Sequence, residues 1–93
     1  MILTMDIGNT NVKYGVFDGD ELVASWRVST KASRTADEYG MVLYDLLKQR
    51  GVNFEDIDAC AMSSVAPALN YTIEHMCRYY IGKAPLIVSS KTD

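Results

Sequence analysis

The chain has 93 residues, 48% of them hydrophobic, 10% aromatic and 23% charged. That fits one compact domain, for which about 100–150 residues is usual, and excludes disordered, collagen-like and low-complexity chains. No apolar run approaches the roughly 20 residues that span a bilayer, and a net charge of −3 with scattered cations gives no basic footprint for nucleic acid. The start, Met1-Ile2-Leu3-Thr4-Met5-Asp6, lacks the basic region and small-residue cleavage site of a secretory signal. Cys60 and Cys77 have no metal-ligand spacing and read as buried thiols of a reducing, cytoplasmic protein.

Residues 2–6 form an apolar run ending in Asp6, which predicts a buried first strand. Gly8-Asn9-Thr10-Asn11 is a turn cluster. Val12, Tyr14 and Val16 then alternate with Lys13, Gly15 and Phe17, the period of a second strand. Asp18-Gly19-Asp20 predicts a tight hairpin. In the third strand, Leu22, Ala24, Trp26 and Val28 share one face, with Val23, Ser25, Arg27 and Ser29 on the other. Thr35-Ala36-Asp37-Glu38 fits a capping box. Behind it, Tyr39, Val42, Leu43, Leu46 and Leu47 recur at helical spacing up to Gly51. Residues 57–62 suit a fully buried strand. Pro67 opens a second helix with Leu69, Ile73, Met76, Cys77 and Tyr80 on one face and Gly82 at its end. Residues 85–88 read as a last strand.

This order, βββαβαβ, predicts an α/β fold with a five-stranded mixed sheet. The first three strands pair in series, and the fourth and fifth join beside the first by right-handed crossovers, giving the order 3-2-1-4-5. Both helices then lie on one face. Strands with apolar residues at every position call for cover on both faces, so one face is expected to lack its partner and to drive self-association of the chain.

Chemistry concentrates at Asp6-Ile7-Gly8-Asn9-Thr10-Asn11. A Gly-containing turn with short polar side chains presents amides and hydroxyls to an oxyanion. Asp6, at the end of an otherwise apolar strand, suits a hydrated divalent cation that offsets the cost of burying a carboxylate. Lys13 adds a point charge for phosphate. The same residues also suit a plain hairpin whose polar groups satisfy turn backbone. Ser63-Ser64-Val65-Ala66-Pro67 follows a parallel strand, where open sheets bind ligands, and equally suits an ordinary strand-to-helix connection. The Arg34–Gly40 segment is explained by capping. His75 lies off the apolar face of its helix, without triad partners, and is expected in solvent.

Several motifs together resemble the type III pantothenate kinases. These are Met5-Asp6-Ile7-Gly8-Asn9-Thr10-Asn11, Gly15-Val16-Phe17-Asp18-Gly19-Asp20 and Trp26-Arg27 followed by Thr30. Arg34-Thr35-Ala36-Asp37-Glu38-Tyr39, and Ser63-Ser64-Val65 followed by Pro67, complete the set. The resemblance runs over essentially the whole chain. It implies the first half of an actin-like ATPase fold, a ribonuclease-H-like core, with residues 1–93 as an N-terminal subdomain and a C-terminal subdomain absent from this chain. It also implies ATP-dependent phosphorylation of pantothenate to 4′-phosphopantothenate, the entry to coenzyme A synthesis, in a cytoplasmic homodimer. Mg2+ and a monovalent cation, K+ or NH4+, would assist.

Carried over by position, Asp6 matches the metal-associated carboxylate. Ile7, Gly8, Asn9, Thr10, Asn11, Val12 and Lys13 match the ATP-phosphate motif. Ser64 and Val65 fall in the loop resembling part of the pantothenate pocket, where Ala66 is smaller than the family's usual residue. The family's Gly-Ala-Asp-Arg segment, which carries the catalytic base, and its second phosphate motif have no counterpart in these residues, so the chain alone is expected to be inactive. Two other readings remain. A non-catalytic nucleotide-binding homologue complete at this length is told apart by whether the reading frame continues past Asp93. A two-metal nuclease needs clustered carboxylates, whereas the fourth strand ends in Ser63-Ser64.

Overall fold

The computed structural model describes residues 1–31 and 33–88. Its strands are β1 (Ile2–Ile7), β2 (Asn11–Asp18), β3 (Glu21–Ser29), β4 (Ala59–Ser64) and β5 (Leu86–Ile87), in the expected order β3-β2-β1-β4-β5. β1 runs antiparallel to β2 and parallel to β4. β4 begins two residues later than the apolar run suggested, because Ile57, although buried, precedes the ladder. β5 pairs only through Leu86 and Ile87; expectations for residues 89–93 lie outside the described residues.

The helix α1 (Ala36–Lys48) starts at the predicted capping box. The Thr35 hydroxyl accepts from the Glu38 amide at 3.1 Å, and the Glu38 carboxylate accepts from the Thr35 amide at 2.7 Å. The second helix is less regular than its apolar spacing predicts. A 3-10 turn at Pro67–Leu69 leads into α2 (Asn70–Met76), and a π turn at Cys77–Ile81 closes on Gly82, whose φ of 81° suits a residue without Cβ. The wider turn accompanies a close helix crossing. A Cβ added at Gly40 of α1 would stand 2.7 Å from the Tyr80 ring, whose hydroxyl donates to Asp37.

Both helices cover the same sheet face. Leu3, Met5 and Ile7 of β1, Val12, Tyr14 and Val16 of β2, and Cys60 and Met62 of β4 form one core with Tyr39, Leu43 and Leu47 of α1 and Ile73, Met76 and Cys77 of α2. The neighbouring Cys60 thiol, together with burial, pushes the Cys77 thiol up, so it stays protonated. Burial, with a smaller contribution from Tyr39, likewise pushes up the phenol of Tyr14, whose hydroxyl has no partner among the described residues.

The opposite face is open, as expected from two helices on one side, so strands whose composition calls for cover on both faces are buried on one. Ile2, Leu22, Leu86 and Val88 are 44%, 51%, 68% and 46% exposed, and Ala59 is exposed as well. Leu22 corrects the alternation read along β3. The register slips between Val16 and Phe17, so Val16 faces Ala24 while Phe17 faces Leu22. Val23 is the extra residue of this bulge and packs against the core, whereas Leu22 turns to the open face beside Gly15.

Two substitutions test this packing by thermal and denaturant unfolding. Gly40→Ala gains about 1 kcal/mol of helix propensity, yet its Cβ must displace the Tyr80 ring and the Asp37 bond. A net loss of about 1–3 kcal/mol is expected; an unchanged or higher melting temperature contradicts the crossing. Tyr14→Phe removes an unpartnered buried hydroxyl and should leave stability level or raise it by about 1 kcal/mol. A clear loss would mean that the hydroxyl is bonded.

Candidate functional site

The Gly8–Asn11 turn joins the central strand β1 to β2. The Gly8 amide donates to the Asn11 carbonyl at 2.9 Å, and a Cβ at Gly8 would stand 3.1 Å from that same oxygen. Any larger residue there pushes the turn open. Thr30, just past β3, braces it from behind: its hydroxyl donates to the Gly8 carbonyl at 2.9 Å and its amide to the Thr10 carbonyl at 2.8 Å. These bonds engage the carbonyls that would repel an anion, while Asn9 and Thr10 stand exposed at the tip. The turn is therefore a braced loop at the mouth of the sheet, suited to an oxyanion.

A shallow pocket of about 310 Å³ opens beside it, lined by Asp6, Gly8, Asn9, Thr10, Asn11, Lys13 and Arg27. Register explains the grouping. Asp6 faces Lys13 on β2 and Ser63 on β4, and Lys13 faces Arg27 on β3, so these four side chains form a row across the open face. Asp6 is exposed, which overturns the expectation of a buried carboxylate: Leu3, Met5 and Ile7 take the core side, and the alternation of β1 turns Asp6 outward. The Ser63 hydroxyl reaches one Asp6 oxygen at 3.4 Å, and Asp6 joins no ion pair among the described residues. One exposed carboxylate beside this pocket fits Mg2+, which keeps most of its water shell and takes few protein ligands.

The remaining sequence candidates are placed differently. Ile7 and Val12 are fully buried on the helix face, so only their backbone is available to a ligand. Ser64 and Val65 lie outside this pocket but are tied to it, since the Val65 amide donates to the Ile7 carbonyl at 2.9 Å. The Ser64 hydroxyl accepts from the Ala66 amide at 3.1 Å, a local cap, and the Val65 side chain is exposed. His75 is exposed as expected and stacks between Tyr71 and Tyr79. Arg27 and Thr30 were not singled out from the sequence as site residues. They stood in the sequence only as part of the Trp26-Arg27 and Thr30 motif of the family resemblance, with no site role attached, and that motif becomes informative once the β2–β3 register is known.

Comparison with known proteins agrees with this geometry. The family model for type III pantothenate kinase matches residues 2–93. The type III pantothenate kinase of Geobacillus kaustophilus is 48% identical over 88 residues, and that of Syntrophotalea carbinolica 43% over 88; each match covers 95% of this chain and 34% of the relative. The chain thus spans about a third of the length of these curated relatives. Among solved structures, a ROK hexokinase from Thermus thermophilus aligns with TM-score 0.71 at 17% identity over 95% of this chain and 34% of its own. YeaZ from Pseudomonas aeruginosa aligns with TM-score 0.63 at 17% identity over 95% of this chain and 43% of its own. These two likenesses concern the fold alone, which this chain shares with both structures. The family match, by contrast, runs through the Asp6–Asn11 turn, the hairpin and the Ser63–Pro67 loop alike, and the chain belongs to the type III pantothenate kinase family.

Proposed function

We propose that this chain is the N-terminal subdomain of an ATP-dependent pantothenate kinase, carrying the first phosphate site and lacking the second subdomain. The observation that carries the reading is the convergence of Asp6, the braced Gly8–Asn11 turn and Lys13 on one open pocket in a member of this family. Phosphoryl transfer needs positioning and charge stabilisation more than covalent help from the protein. The turn holds the polyphosphate, Lys13 supplies positive charge, and Asp6 holds hydrated Mg2+. When bound, the metal neutralises charge on the phosphate oxygens. Ser63 beside Asp6, where a two-metal nuclease needs a further carboxylate, favours the kinase reading.

The proposal extends to pantothenate as acceptor and 4′-phosphopantothenate as product, with Ser64 and Val65 bordering the acceptor pocket. A monovalent cation, K+ or NH4+, a cytoplasmic location and a homodimer belong to the same reading of the whole protein, as does self-association of this chain through its open face. No helix among the described residues is long and apolar enough to cross a membrane. The base that accepts the proton of the pantothenate hydroxyl lies on none of these residues.

A coupled assay of ADP release tests the reading. The 93-residue chain should give no pantothenate-dependent signal above a blank, because it supplies one side of the nucleotide only. Measurable turnover would contradict the division of labour proposed here.

A further inference from the structure

The β-bulge in β3 has an effect on charge. Counting back from Phe17 opposite Leu22 without an extra residue would set Lys13 against Trp26; with Val23 inserted, Lys13 faces Arg27. Two cations directly opposite each other on neighbouring strands repel and destabilise the sheet. Neither belongs to an ion pair among the described residues, where the N-terminal amine with Asp58 is the only such pair. Both are exposed, and both line the pocket that the Gly8–Asn11 turn opens into. Asp6, opposite Lys13 on β1, offsets one of the two charges, so the bulge leaves the site with one cation in excess, and a ligand with several negative charges can engage both.

We propose that Arg27 is a phosphate-contacting residue, and that Arg27 and Lys13 act as a two-cation clamp selecting polyphosphate over a single phosphate. The inference rests on the phosphate-site reading above and adds a residue and a ligand preference to it. The two side chains are not equivalent. Arg27 presents a planar fork of donors that engages two oxygens at once, whereas Lys13 is a point charge that tolerates many geometries. The turn contributes backbone and hydroxyl groups from one side, and the clamp closes the side toward β3. The pocket shared by the turn and both cations, about 310 Å³, is larger than one phosphate, so a monophosphate engages either the turn or the clamp, while a diphosphate or tripolyphosphate reaches from one to the other.

The test uses the full 93-residue chain and its Arg27→Gln, Arg27→Lys and Arg78→Gln variants, the last removing an exposed charge on the far helix. Each is titrated with MgADP, tripolyphosphate and orthophosphate, with binding read from amide chemical shifts and ligand-free stability from thermal unfolding. Wild type should bind MgADP and tripolyphosphate more tightly than orthophosphate. Arg27→Gln should weaken the two polyphosphates about tenfold, Arg27→Lys should fall between, and Arg78→Gln should match wild type. Relief of the Lys13 repulsion should leave ligand-free Arg27→Gln with an unchanged or higher melting temperature. If wild type binds and Arg27→Gln binds within twofold of it, the clamp is wrong and the phosphate site stands. If wild type binds none of the three, both fall. Equal losses in Arg27→Gln and Arg78→Gln would reduce the effect to net charge and overturn the clamp. A lowered ligand-free melting temperature in Arg27→Gln would do the same by making Arg27 structural.

Discussion

The register of β1 between β2 and β4 is the constraint on which the site depends. Leu3, Met5 and Ile7 must face the helices, because they fill the centre of the core with Tyr14, Met62 and Met76. The two-residue period of the strand then turns Thr4 and Asp6 to the open face. A slip of one residue would bury Asp6 without a partner and expose three large apolar side chains. Burial of a hydrophobic stripe thus aims a carboxylate, and β1 ends at the middle of the sheet, where its turn meets Lys13 of β2 and Arg27 of β3. Gly8 and Thr30 then hold the turn in shape.

What the sequence disclosed follows the range of the interactions involved. The α1 capping box needs only Thr35 and Glu38, three residues apart, and was legible. The Gly8–Asn11 turn was legible for the same reason, since its residue types act locally. Strand order followed from the chain order of elements. The open face was legible too, because two crossovers in the same direction put both helices on one side of the sheet. Two features depend on groups far apart in sequence and were not visible. The bulge at Val23 is decided by how β3 packs against β2, and it moved Leu22 to the other face. The π turn at Cys77–Ile81 accompanies the crossing of Tyr80 over Gly40, a contact between helices.

The same distinction runs through the candidate site. Asp6 and Lys13 announce themselves by residue type beside a turn. Arg27 becomes part of the site only through cross-strand register, and Thr30 only through two hydrogen bonds spanning 20 residues or more. The candidate site that results is one-sided: an open sheet face with a polar pocket at one end and an apolar corner at the other. A one-sided site suits the proposed subdomain, which would hold the nucleotide phosphates while a second subdomain presents the acceptor.

The central claim is that the Asp6–Asn11 segment receives nucleotide phosphate and metal. A crystal structure of the chain with a magnesium nucleotide tests it most directly. The account predicts phosphate oxygens within hydrogen-bonding distance of the Asn9–Thr10 turn, with the metal on the Asp6 side of the pocket. Nucleotide bound elsewhere, or a turn left empty at saturating nucleotide, would contradict it.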